Sequence, residues 1–566
     1  MGVFGFELNN TNMARVLLKK LSIKNLGPIK EDEIELEPFT YFVGRNNAGK
    51  SHYLKAVELL LTSGTKKEEI AKLQRDKNEP IIIDGYFEGV GDFTNLLTAS
   101  NHKNAIEEAI QDGVLMIRVK ADTTDGAEIG IVKDNGDLHN PSGFTGNLLK
   151  VLPEVISIVA TADTTEELGD KSTTALGKLK REVMGSFFQE LAQKTNEALS
   201  GIDDFLHSDD NSVRSQSIAS FEADLKEEFM GEFSDIVPSV EFALPKEDVI
   251  AKEMKILLDD GHKSEVESKG HGLQRATLLA LLKLLARKGQ RFQNRPAPLF
   301  LIGELESFLH PYAQKELAVA LNKIIGQYQV LTSTHSPFII TPQNLTGYRR
   351  TQKDSTDGTK ALAPRKDELE IDLITRHLER RGNLEGLFAD RVILIEGNHD
   401  DGFYRKLMEV FDLTLPPKKF TLFVRAFGSK EFHPVRKFYK QMGFDDISII
   451  CDLDYLFSNN FRHLLSDVGI TDDYTTQLRN HIGWTETKDP SLLDVLSGIS
   501  TKGEPADFAD ILNKLSQARI FTLKKGAPEM YYINNLGEKG GWEKVRVATD
   551  LVDANDLKNL MTSILV

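Results

Sequence analysis

Two sets of residues in this 566-residue chain have the types and spacing of phosphate chemistry. The first is Gly44-Arg45-Asn46-Asn47-Ala48-Gly49-Lys50-Ser51, which fits G-x-x-x-x-G-K-[ST] with no departure. Its glycines permit a tight loop whose backbone N–H groups turn towards a phosphate. Asn46, Asn47 and Gly49 line that cradle, Lys50 reaches the β- and γ-phosphates, and the Ser51 hydroxyl takes Mg²⁺. The second set is acidic: Glu396 and Asp400 in Glu-Gly-Asn-His-Asp, then Asp452 and Asp454 in Asp-Leu-Asp. Each group follows an apolar run, as at the end of a buried strand. Strand residues two apart share a face, so Asp452 and Asp454 project together. With the two strands side by side, Glu396 and Asp400 face the same crevice at a carboxyl edge, where open α/β sheets place their sites. Four carboxylates repel one another unless cations bind, and oxygen-only donors favour Mg²⁺ or Mn²⁺ over zinc. A lone Asp-x-Asp is often an ordinary turn; the pair of acidic strand ends is far more specific.

The elements that must position these residues are legible from hydrophobic runs and their punctuation. A strand over Phe39–Val43 enters the glycine loop and a helix over Ser51–Thr62 leaves it. Strands are expected at Val16–Ile23, Glu33–Leu36, Ile81–Phe87 and Val114–Val119, with a hairpin from Glu128 turning at Asp134-Asn135-Gly136. That places an antiparallel sheet beside the nucleotide loop, which a plain parallel P-loop core lacks so early in the chain. Val155–Ala160 reads as a buried strand. From Thr164 to about Met230 the texture is polar and helix-periodic, and Leu176–Leu199 alone could form a long amphipathic helix; a dimerisation arm and a solvated helical hairpin both fit. Strand signals return at Ser239–Ala243 and Glu253–Leu258. Ser268-Lys269-Gly270-His271-Gly272 then opens an apolar helix, a second place where backbone N–H groups could meet an anion. Pro298–Ile302 and Gln329–Ser333 are apolar strands ending in Gly303-Glu304-Leu305-Glu306 and Thr334-His335-Ser336. Residues 352–366 read as a linker or surface loop and Leu369–Leu378 as a short helix. A second α/β unit follows, with strands at Arg391–Ile395, Phe420–Val424 and Ile447–Cys451, and another beginning at Phe521.

Composition bounds the rest. A net charge of −16 argues against a general polyanion binder, because nucleic-acid affinity is dominated by phosphate neutralisation. The basic clusters Arg349-Arg350, Arg380-Arg381 with Arg391, and Lys418-Lys419 with Arg425 read as solvated faces. No apolar run approaches the roughly 20 residues of a membrane span. The single cysteine, Cys451, forms no intrachain disulfide, and the expectation is a soluble, cytoplasmic protein with no membrane partner.

Taken together, the glycine loop, the opening Ile23–Ile29 segment, Ser268–Arg275, Glu304 and His335 resemble an ABC-type ATPase head of the RecF and chromosome-maintenance kind. The resemblance implies that Glu304 is the catalytic glutamate, that His335 contacts the γ-phosphate, and that Ser268, Gly270 and Gly272 belong to a signature loop reaching the nucleotide of a second head. One position departs from those heads: Gly303 stands where a first acidic residue is usual, which suits an ATP sensor better than a motor. The acidic strand ends resemble a toprim domain, and Phe521–Glu529 resembles the lysine–glycine–glutamate element of OLD (overcoming lysogenization defect) nucleases. By that resemblance Glu396, Asp400, Asp452 and Asp454 hold metals, Glu529 assists one of them, and Lys524 or Lys525 stabilises the charged transition state.

The implied fold is α/β: an ABC/RecF-like P-loop ATPase head (1–163 and 236–350) with a helical insertion (164–235), a linker with a short helix (351–388), and a C-terminal toprim domain (389–566). The implied activity is a nucleotide-regulated, metal-dependent DNA endonuclease or nickase. ATP and Mg²⁺ or Mn²⁺ are its cofactors and DNA is its substrate. The family likeness extends to the anti-phage Gabija nuclease subunit and retron-associated nucleases, which implies defence, a homodimer or tetramer through the head and insertion, and a second defence-system subunit as partner. An ATP-switched scaffold and a RecF-like repair ATPase are the competing readings.

Overall fold

The computed structural model describes residues 15–159 except 64, 133–135 and 137; within 160–255 only 174–179, 182–183, 193–194 and 220; and 256–565 except 289–294, 305, 308, 355, 381, 415–418, 471–472, 524–526 and 529–553. Residues 1–14, most of the helical insertion and the strand expected at 239–243 therefore lie outside the described residues. The chain forms two compact units. One spans 154–328, and the other joins 13–153 to 329–566.

In the larger unit the glycine-loop strand Phe39–Val43 is buried at every position. It runs parallel to Gln329–Ser333 on one side and to Tyr348–Asp354 on the other. Tyr348–Asp354 pairs antiparallel with Gly358–Leu362, which meets Ile29–Glu35. From there the sheet is antiparallel through Leu17–Leu26, Ile81–Glu88, Val114–Asp122, Gly126–Val132 and Leu138–His139. The antiparallel sheet beside the loop, expected from the alternating strands, is present. Residues 352–366, expected as a linker, instead supply part of a hairpin of the ATPase sheet. Its turn is built by Asp354, whose carboxylate accepts the N–H groups of Thr356 and Asp357, and by Gly358 at a positive φ of 79°.

The same unit holds the second sheet. Thr421–Arg425, Arg391–Ile395, Ile447–Cys451 and Ile520–Thr522 lie in that order, all parallel. Arg391–Ile395 and Ile447–Cys451 are buried throughout, as the apolar runs require of central parallel strands. The helix Asn398–Val410 and the C-terminal helix Ala554–Leu565 close a core around Ile393, Ile395, Phe403, Leu407, Leu557 and Met561.

In the smaller unit, Leu299–Gly303 pairs parallel with Val155–Val159 and is also fully buried. A hairpin of Leu257–Asp259 with Lys263–Glu265 precedes the helix His271–Lys288. Among the described residues no helix is long and apolar enough to cross a membrane.

Candidate functional sites: a nucleotide loop and an acidic strand edge

The nucleotide loop is held by packing that only glycine admits. Gly44 has φ 137°, and a Cβ there would meet the Thr351 carbonyl oxygen at 2.6 Å; Gly49 has φ 98° and would meet Thr359 at 2.9 Å. The Thr351 hydroxyl donates to the Val43 carbonyl and the Thr359 hydroxyl to the Ala48 carbonyl, each at 3.1 Å, so the hairpin at 348–362 braces the loop from outside. Lys50 is buried, and its ammonium donates to the carbonyls of Gly44 at 3.2 Å and Arg45 at 3.0 Å. Lys50 and Ser51 open the helix Lys50–Leu61, whose N-terminal N–H groups suit an anion. His335 follows the strand parallel to the loop strand, and the Thr334 N–H donates to the Phe42 carbonyl at 3.2 Å. The larger unit thus brings together Asn46, Asn47, Gly49, Lys50, Ser51 and His335.

Glu304 and the signature-like segment belong to the smaller unit. Glu304 sits at φ 50°, in the left-handed region, directly after the strand end Gly303. Its carbonyl accepts the Ser307 N–H at 3.0 Å, and the buried Arg275 donates to the Ser307 carbonyl, which ties the segment after Glu304 to the first turn of helix His271–Lys288. The Ser268 hydroxyl donates to the Glu265 carbonyl at 2.8 Å. A Cβ at Gly270 or Gly272 would meet nothing within 4 Å, so local packing does not demand either glycine.

At the second sheet, parallel pairing brings the carboxyl ends of all four strands to one edge. Glu396 follows Ile395; Gly397 begins the helix, and the Gly397 N–H donates to Asp400 Oδ2 at 2.8 Å, a capping arrangement that turns Asp400 back towards Glu396. Asp452 stands at the start of the short turn Leu453–Phe457, which carries Asp454. Burial holds the Asp454 carboxyl above its usual range. Beneath them, burial pushes the Cys451 thiol up, and the negative charges of Asp452, Glu396 and Asp454 add to it. The Tyr455 phenol is raised by burial and by Cys451 and Glu396. One buried thiol therefore feels three of the four acids. Leu523 continues the edge strand, donating its N–H to the Cys451 carbonyl at 3.3 Å; Lys524, Lys525 and Glu529 beyond it lie outside the described residues.

Among the described residues no three His, Cys, Asp or Glu side chains are grouped closely enough to cage a metal. Asp400 is spent partly on its helix cap, and Asp452 and Asp454 lie in the turn after the strand rather than on it, so the expected four-way convergence is an edge rather than a cage. This donor set still fits Mg²⁺ or Mn²⁺, because such ions are held by one or two carboxylates with water and substrate phosphates completing the shell.

Several residues at these sites carried no sequence signal beyond their charge. Asp401, beside Asp400, is buried and accepts from Arg405 Nε and Arg425 Nη2, both at 2.7 Å. Arg425 ends the strand Thr421–Arg425, so this clamp fastens the helix bearing Asp400 to the sheet. Arg349 and Arg350, expected on a solvated face, are buried, and burial lowers both to about 10. Both donate to carbonyls: Arg349 to Glu35, Thr346 and Tyr348, and Arg350 to Ala389, Met442 and Gly443, while the buried Arg350 Nε has no partner among the described residues. Arg391 is likewise buried, 3.1 Å from Asp446.

Two protein families match the chain. The AAA ATPase domain matches residues 17–143 and 146–340, more than half of the 566 residues, and the overcoming lysogenization defect protein-like TOPRIM domain matches 387–454. The chain is 27% identical over 467 residues to the Old nuclease of Escherichia phage P2, covering 78% of each chain. It is 22% identical over 405 residues to the OLD nuclease of Thermus scotoductus, covering 68% of this chain and 72% of that one. A solved Smc head domain bound to the C-terminal domain of ScpA, derived from Pyrococcus furiosus, aligns with a TM-score of 0.37 and 16% identity, covering 62% of this chain and 96% of that one.

Proposed function

The chain belongs to the OLD family of nucleases, an AAA ATPase domain joined to an OLD-like TOPRIM domain, and from that premise we propose that it is a nucleotide-regulated DNA endonuclease or nickase that depends on Mg²⁺ or Mn²⁺ and serves in anti-phage defence. The observation that carries this reading is the shared carboxyl edge. Parallel strands Arg391–Ile395 and Ile447–Cys451 deliver Glu396 and the Asp452-Leu453-Asp454 pair side by side, with Asp400 capped back onto the same turn. Glu396, Asp400, Asp452 and Asp454 would hold the metal, which supplies a water of lowered pKa and charge stabilisation for phosphodiester cleavage. Asp401, clamped by Arg405 and Arg425, fixes the helix that presents Asp400. Further along the sequence, Glu529 would assist one of the metals and Lys524 or Lys525 would stabilise the charged transition state.

In the ATPase part, Lys50 and the N-terminus of its helix bind the nucleotide phosphates and Ser51 holds the accompanying Mg²⁺. His335 faces the γ-phosphate, Glu304 polarises water, and Ser268, Gly270 and Gly272 complete the site of a second copy in a homodimer or tetramer. A slow or absent hydrolysis step, consistent with Gly303, makes this part a sensor. A second defence-system subunit is the expected partner.

Incubating supercoiled plasmid with the protein and Mg²⁺ or Mn²⁺ tests the reading. Nicked or linear product is expected from the wild type and none from Asp452→Ala. Equal cleavage by the two proteins sinks it.

A further inference from the structure

Two arginines of the ATPase sheet reach the base of the TOPRIM sheet, and they differ in kind. Arg350 is a fixed anchor: it is buried, donates to the carbonyls of Ala389, Met442 and Gly443, and lies 3.7 Å over the Phe444 ring. Arg45, the second residue of the nucleotide loop, is an exposed one. Its Nε is 3.0 Å from Asp390 Oδ1, with the Arg45 side chain 60% exposed and that of Asp390 only 11%. It borders a cavity of about 470 Å³ between the loop and the sheet base, which leaves its guanidinium room to turn.

Asp390 is placed where a small change reaches the acidic edge. It directly precedes Arg391–Ile395, the strand that ends at Glu396. Its second oxygen accepts the Phe420 N–H at 2.8 Å, and its own N–H donates to the Phe420 carbonyl, so it also pins the start of Thr421–Arg425. That second strand ends in Arg425, which clamps Asp401 beside Asp400. The strand that follows Asp390 and the strand it pins thus arrive, about 17–20 Å further on at roughly 3.3 Å per residue, at groups that present metal ligands. The first of them is buried at every position.

We propose that Arg45 is the positioning residue through which nucleotide in the loop acts on the nuclease edge. An ion pair with one exposed partner is weak and displaceable. A guanidinium matches phosphate oxygens in a bidentate, charge-assisted fit. Nucleotide phosphates at Gly44–Ser51 draw Arg45 off Asp390. The freed Asp390 resets the base of the two strands, and the nuclease edge responds. The inference rests on the reading of Glu396, Asp400, Asp452 and Asp454 as the nuclease centre. It supplies that reading with its route of regulation.

The test uses the full-length protein and two substitutions, Asp390→Asn, which keeps an oxygen for Phe420, and Arg45→Gln on the exposed side of the pair. One readout is the affinity for a fluorescent ATP analogue with Mg²⁺; the other is the ratio of plasmid nicking rates with and without ATP. Asp390→Asn is expected to bind the analogue about two- to fivefold tighter than wild type, because the competing carboxylate is gone. Its nicking rate without ATP moves to the level wild type shows with ATP, because the pair is already broken, and its ATP ratio collapses to about one. Arg45→Gln likewise loses the ATP ratio but gains no affinity. Unchanged affinity in Asp390→Asn together with wild-type ATP ratios in both variants overturns the proposal. A wild type that never nicks overturns the nuclease reading instead, and the affinity comparison then decides the Arg45 switch by itself.

Discussion

Replacing Asp401 by Asn tests whether the clamp beneath the acidic edge holds the second sheet together. Asn is nearly isosteric but uncharged, so both 2.7 Å charge-assisted bonds are weakened at once. The two arms differ in worth. The Arg405 side chain is 58% exposed and sits one helical turn away, an arrangement worth about 0.3–0.5 kcal/mol. The Arg425 side chain is 23% exposed and faces a carboxylate that is 4% exposed, so that arm is worth about 1.5–3 kcal/mol. Asp401→Asn should therefore cost about 2–3 kcal/mol in urea unfolding followed by circular dichroism, whereas Arg405→Gln should cost less than about 0.5 kcal/mol. An Asp401→Asn protein within about 0.5 kcal/mol of wild type would refute the reasoning, as would an Arg405→Gln loss equal to it.

Other consequences are equally direct. Gly44→Ala forces a Cβ to 2.6 Å from a backbone oxygen at φ 137° and should cost about 1–3 kcal/mol in thermal or urea unfolding, while Gly270→Ala, which meets nothing within 4 Å, should be close to neutral. Burial, aided by Arg380, lowers His377 to about 3, although Glu431 is 3.9 Å away; Glu431 is already paired with Arg380. The unfolded chain protonates this histidine near its ordinary value and the folded chain does not, so its contribution is complete above about pH 6.5 and is lost as pH falls from there towards 3. Wild type should lose about 1.4 kcal/mol more than His377→Gln between pH 7.5 and 5.5 in urea titrations, and equal losses would contradict the assignment. The buried Cys451 thiol, raised by burial and by Asp452, Glu396 and Asp454, should resist Ellman's reagent in native buffer and react on adding urea.

The strands that carry both candidate sites were legible in the sequence because each is an apolar run ending in polar residues. Phe39–Val43, Arg391–Ile395 and Ile447–Cys451 are buried strands in place, and their parallel register follows from the pattern. What the sequence concealed depends on partners far along the chain. Residues 352–366 read as a linker because the strand character of Tyr348–Asp354 and Gly358–Leu362 comes from their pairing with each other and with Phe39–Val43. Arg350 reads as a solvated charge because the carbonyls it donates to, at Ala389, Met442 and Gly443, carry no side-chain signature. The acids were identifiable by type, but Asp400 and Asp401 look alike in sequence. Only the folded chain shows one capping a helix and the other locked between two arginines.

The central claim is a division of labour, with nucleotide sensed at Gly44–Ser51 and DNA cut at the acidic edge. Its most direct test is plasmid nicking by Glu396→Gln and Lys50→Ala measured in parallel, with and without ATP, in Mn²⁺. The account predicts no nicking by Glu396→Gln under either condition, and nicking by Lys50→Ala that no longer responds to ATP. Nicking that survives Glu396→Gln with its ATP response intact would contradict it.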